Sequence, residues 1–162
     1  MPDILLRSGE IYVDKLRAAL EQPLETATTQ RLFPGLDESD GVMIKRLIHS
    51  LLDLVPKLGA AISDKDNLPD ERSLAALVFT YLIMPFDILP TEQYGLLGYL
   101  DDTLVAHTLA ANITESDETI VALSAANASD VADLMVKLPD WFTEAVTRFV
   151  SQAIDQKSPL QC

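Results

Sequence analysis

Residues 74–111 read LAALVFTYLIMPFDILPTEQYGLLGYLDDTLVAHTLAA, and this stretch constrains the fold more than any other. Two apolar segments with helical spacing flank a corner fixed by Pro85 and Pro90, and three carboxylates, Asp87, Asp101 and Asp102, sit among them. An ionised carboxylate buried without a partner costs several kcal/mol. The stretch must therefore fold as a hairpin in which each buried acid meets a counterpart: a backbone N–H group, a basic side chain, a shared proton or a cation.

Almost every other segment also carries helical spacing, and none alternates as a half-exposed strand would. The pattern predicts a helix over 9–21 with Ile11, Leu16 and Leu20 turned inward, and leaves 23–33 ambiguous because Thr26, Thr28 and Thr29 weaken helix. A strong amphipathic helix follows over 40–55, with Ile44, Leu47, Ile48, Leu51, Leu54 and Val55 on its apolar face. Ser39 or Asp40 is the expected cap, and Pro56 and Gly59 punctuate its end, with a short continuation to Ile62 left open. Helices over 72–84 and 97–112 are apolar on nearly all faces and belong at the centre. Helices over 117–126 and 130–138 are expected to be separated by a break at Asn127–Asp130. The last helix, 140–155, presents Trp141, Phe142, Val146 and Phe149. With 48% hydrophobic residues, the expectation is an all-α, compact single domain over 1–162 of six to eight helices, built on the buried hairpin of 74–111.

Charge narrows the partners. Twelve Lys and Arg face 25 Asp and Glu, a net charge of −13. Such a surface disfavours nucleic acid, which needs cationic contacts to phosphate, and equally an anionic membrane. It suits a basic protein or divalent cations. Cys162 is the only cysteine, so no internal disulfide or paired-cysteine zinc site is expected. MPDILLRSGEIYVDKL lacks a signal-peptide pattern. The longest apolar segment, Leu74–Met84, falls short of the roughly 20 residues that span a bilayer. A cytoplasmic protein is the expectation.

The acids admit three readings. On an ideal helix from Leu97, Asp101 shares a stripe with Leu97 and Leu104, whereas Asp102 points about 100° away. The two adjacent carboxylates therefore do not face one point unless the helix begins between them. They can act as first-turn caps. They can join Asp87, with Glu92 as a further oxygen donor, in a site for Mg²⁺ or Ca²⁺. Or they can pair with Arg46 or Arg72. His107, rotated roughly 120–140° from both acids, reads as a core histidine with a satisfied hydrogen bond, and His49 as a surface residue. There is no HExxH, GxSxG or phosphate-binding glycine loop, so no catalytic residue and no organic cofactor is expected.

Tyr81, Leu82, Pro85, Asp87, Pro90, Gly98, Asp101 and Asp102, within YLIMPFDILP and LGYLDD, resemble the YkvA-like family, domain of unknown function 1232. That family's pattern is Tyr-Leu-x-x-Pro-x-Asp-x-x-Pro, a short apolar connection, then Gly-x-x-Asp-Asp. The chain departs from it after Pro90, where Thr91 and Glu92 stand in place of the usual Asp. The resemblance implies a helical hairpin in a small, mostly bacterial protein, with some relatives linked to membranes and no established reaction.

The expected function is a non-enzymatic, soluble helical binding or regulatory module for a basic protein partner. An immunity-type protein that blocks a cationic effector is one concrete form. A metal-dependent hydrolase, with Asp87, Asp101 and Asp102 holding Mg²⁺ or Mn²⁺ to activate water, is the enzymatic alternative. A peripheral membrane-associated protein is the third.

Overall fold

The computed structural model describes residues 2–66, 69–83, 88–112 and 118–157. Among these the chain is all-α, with no strand. The helices are α1 (Pro2–Leu20), α2 (Thr26–Leu32), α3 (Glu38–Ser63), α4 (Pro69–Ile83), the single turn α5 (Thr91–Tyr94), α6 (Leu100–Ala110), α7 (Glu118–Lys137) and α8 (Asp140–Lys157). A 3₁₀ segment, Gly95–Tyr99, runs from α5 straight into α6.

The hairpin lies at the centre, as its composition requires. Every residue of α6 from Leu100 to Ala110 is buried except Thr108. It packs against α3, α4, α7 and α8. In α4, Leu74, Ala75, Val78, Phe79, Tyr81 and Leu82 are buried. The six apolar positions expected of α3 are all buried, and His49 is exposed.

Four boundaries differ from expectation, each for a local reason. First, α1 begins at Pro2 and its inner face is Tyr12, Val13 and Leu16, while Ile11 is half exposed. Gly9 sets this phase: a Cβ there would stand 2.6 Å from the Phe79 ring, so the glycine lets α1 close on α4. Second, α3 is capped by Asp37 rather than Ser39 or Asp40. The Asp37 carboxylate accepts from Asp40 N–H at 3.0 Å while the Asp40 carboxylate accepts from Asp37 N–H at 2.8 Å, a reciprocal capping box. Third, α3 takes the continuation left open and runs through Pro56. The missing N–H of an interior proline costs about 3 kcal/mol, and burial of Leu58 and Ala61 beyond it offsets that loss. Fourth, α7 is continuous across Asn127–Asp130. Asn127 spends its side-chain amide on Leu123 C=O at 2.8 Å, and Asp130 pairs with Arg46 of α3, so neither competes for the helix backbone.

Among the described residues one helix, α7, is long and apolar enough to cross a membrane by length and composition alone. Its most apolar window has a mean hydropathy of 1.3 and is 28% buried. Two of its four charged residues are paired within the bundle, Asp130 with Arg46 and Lys137 with the buried Asp40 at 2.7 Å. In this fold α7 is a bundle helix.

Candidate functional site: a cleft over a clamped acid pair

The two adjacent aspartates of α6 are buried, Asp101 at 0% and Asp102 at 2% exposure. They diverge, as their rotation about the helix demands. Asp101 Oδ2 accepts a hydrogen bond from the Tyr81 hydroxyl at 3.0 Å and from the Ile88 N–H at 2.9 Å. Asp102 Oδ2 accepts from the Tyr12 hydroxyl at 2.7 Å. One acid thus ties α6 to α4 and to the corner, and the other ties α6 to α1. Hydrogen bonds to a charged acceptor are worth about 1.5–3 kcal/mol each, enough to make the pair a clamp on the hairpin.

Both acids lie in the first turn of α6, where the cap reading puts them, and Asp101 accepts a backbone N–H of the corner, but neither is the N-cap residue of α6. Tyr99 occupies the N-cap position without a side-chain cap bond, because the 3₁₀ segment feeds directly into α6 and Leu100 N–H already donates to Leu97 C=O. Nor do arginines neutralise them: Arg46 pairs with Asp130, and Arg72 donates through Nε to Ile62 C=O at 3.4 Å. Asp87, the third expected metal ligand, lies outside the described residues. Among the described residues no three His, Cys, Asp or Glu side chains converge on a point that would hold a metal ion.

A cleft of about 390 Å³ opens over this clamp. One wall is a single stripe of α1, formed by Ser8, Ile11, Tyr12 and Lys15. Thr91 and Glu92 of α5 also line it, with Pro90. Leu82, Ile83, Tyr99 and Asp102 close the floor. Tyr12 and Tyr99 meet edge to face at 5.8 Å between ring centroids, which fixes the phenol that holds Asp102.

Gly98 sets the spacing of the α5 wall. A Cβ there would stand 2.6 Å from Thr91 Cα and 2.9 Å from Thr91 N, both backbone atoms with no rotamer to escape by. Gly98→Ala is therefore expected to destabilise the fold by about 1–3 kcal/mol through overpacking. A chemical denaturation midpoint equal to that of the parent protein would show that the turn yields freely.

Burial, reinforced by Asp102, pushes the Tyr12 phenol well above its ordinary value near 10, so it stays a protonated donor through the neutral range. The Ser8 hydroxyl donates to Ile4 C=O at 2.9 Å. A serine and a histidine do meet elsewhere: Ser50 Oγ lies 2.6 Å from His107 Nε2. Both side chains are buried in the core, and the Ser50 hydroxyl donates to Leu47 C=O. His107 Nε2 is then the donor in the pair, the reverse of a general base. His107 is a core histidine, as its position predicts, with a hydrogen bond through Nε2 only; its Nδ1 is buried without a partner.

Tyr12 and Tyr81 are the partners that reading the acids alone missed. Tyr81 stands inside the YLIMPFDILP motif, and Tyr12 is four residues before the buried Leu16 on the inner face of α1. Aromatic hydroxyls at inward positions were the available signal, since a buried phenol needs an acceptor.

Fold and site together define a small helical protein organised on an acid-clamped hairpin. A family model described as protein of unknown function (DUF1232) matches residues 71–107, the hairpin segment, and this is the family that the hairpin motif resembles. The match contains Tyr81, Ile88, Gly98, Asp101 and Asp102, whereas Tyr12, the donor to Asp102, lies outside it. No curated protein and no solved structure matches the chain.

Proposed function

We propose that this chain is a non-enzymatic binding module whose cleft receives a cationic group presented by a basic protein. The observation that carries the reading is the placement of the cleft: its floor reaches Asp102, and exposed Glu92 stands on its wall. The wider surface supports it. The buried carboxylates among the described residues are Asp40, Asp101 and Asp102, so most of the acidic excess behind the −13 net charge faces outward. A field of one sign steers an oppositely charged partner and raises its encounter rate. An immunity-type protein that blocks a cationic effector is one form of such a module.

Titration with an oligolysine peptide at low ionic strength tests the reading. Binding is expected to weaken as salt rises, and Glu92→Gln, an exposed substitution, is expected to lower affinity several-fold. Absence of binding at low salt, or an affinity indifferent to Glu92→Gln, would remove the cleft as the recognition element.

A further inference from the structure

The cleft also carries a cation of its own. Ser8, Ile11, Tyr12 and Lys15 follow one another at the spacing of a single helix face. Lys15 therefore stands one turn beyond Tyr12, roughly 4.5 Å along the axis. Lys15 and Glu92 line the same cleft from α1 and α5, and both are exposed. Among the described residues neither forms an ion pair, although their charges are opposite. The space between them is where a ligand would bridge the two. A ligand bearing only a positive group meets Glu92 favourably but is repelled by Lys15. One bearing an anion a short aliphatic chain away from its cation satisfies both.

We propose that the cleft is built for the C-terminal lysine of a protein chain. The ε-ammonium lies against Glu92 in the field of Asp102. The α-carboxylate lies against Lys15, and the methylene stem runs over Ile11 and Leu82. This rests on the reading that the cleft receives a cationic group, and adds that the cation arrives with a free carboxylate beside it.

Three peptides of one sequence separate the claims: one ending in lysine with a free carboxylate, the same peptide as its C-terminal amide, and one ending in norleucine with a free carboxylate. Their affinities are measured at low ionic strength. The lysine acid is expected to bind at least about fivefold tighter than either control, the scale of one exposed ion pair. In Lys15→Gln the advantage over the amide should vanish. In Glu92→Gln the advantage over norleucine should vanish. Both substitutions are at exposed positions, and unchanged melting curves would confirm that the variants fold. Equal binding of acid and amide would overturn the carboxylate assignment while leaving the cation reading intact. No binding by either would sink both. Free 6-aminohexanoate that binds where the lysine peptide does not would replace the chain terminus with a small zwitterion as occupant, and would overturn the proposal as stated.

Discussion

Asp101→Ala is expected to lower the unfolding free energy by about 3–5 kcal/mol, the largest effect of any single substitution in the cleft or hairpin. The carboxylate is fully buried and accepts from two donors on different elements, the Tyr81 hydroxyl and the Ile88 N–H. Alanine leaves both donors without that acceptor, and each costs about 1–3 kcal/mol when stranded in the interior. For a chain of this size the loss corresponds to a fall in Tm of roughly 10 °C. Asp101→Asn should cost less, about 1–3 kcal/mol, because an amide oxygen can accept both bonds and only the charge assistance is lost. Urea titrations followed by far-UV circular dichroism give both values. An alanine variant within about 1 kcal/mol of the parent would mean that the two donors find water or another acceptor, and that the clamp is dispensable.

Acidification should destabilise the protein through His107. Burial lowers the pKa of this imidazole from an ordinary 6.5 to about 4 in the folded state. The folded protein therefore favours the neutral ring, and the unfolded chain binds a proton first as pH falls. The contribution is fully present above about pH 6.5 and is lost progressively as pH drops through the folded value near 4. The free energy linked to this proton is about 3 kcal/mol. The geometry explains why no partner rescues the charged form. Nε2 already faces Ser50, and Nδ1 is buried without a hydrogen-bond partner. His107→Gln keeps a donor for Ser50 and removes the titration. Stability measured from about pH 7 to about pH 4.5 should fall more steeply in the parent than in this variant. Parallel curves would show that other groups govern the acid limb.

Apolar periodicity alone located the helices, because burial of Leu47, Leu51 and Leu54 or of Leu100 and Leu104 follows from spacing. It failed where a local rule was overridden by packing. Asn127–Asp130 does not interrupt α7, because contacts on both sides hold the helix through it, and at Pro56 the continuation toward Ile62 left open by the sequence is the one adopted. In the candidate site, the spacing of Asp101 and Asp102 foretold their divergence, and their apolar surroundings foretold their burial. Their partners were less visible. Tyr12 is 90 residues from Asp102 in sequence, and only the packing of α1 against the hairpin brings them together. The cleft was not legible at all, since Ser8, Lys15 and Glu92 acquire a shared meaning only once α1 and α5 line one cleft.

Phenolic donors holding the buried acids in place is the premise beneath both the clamp and the cleft. A double-mutant cycle on Tyr12→Phe and Asp102→Asn measures it directly, because the two side chains meet at 2.7 Å and belong to different helices. A coupling free energy of about 1–3 kcal/mol is expected for a buried hydrogen bond to a carboxylate. Strictly additive losses, with no coupling beyond about 0.5 kcal/mol, would contradict it.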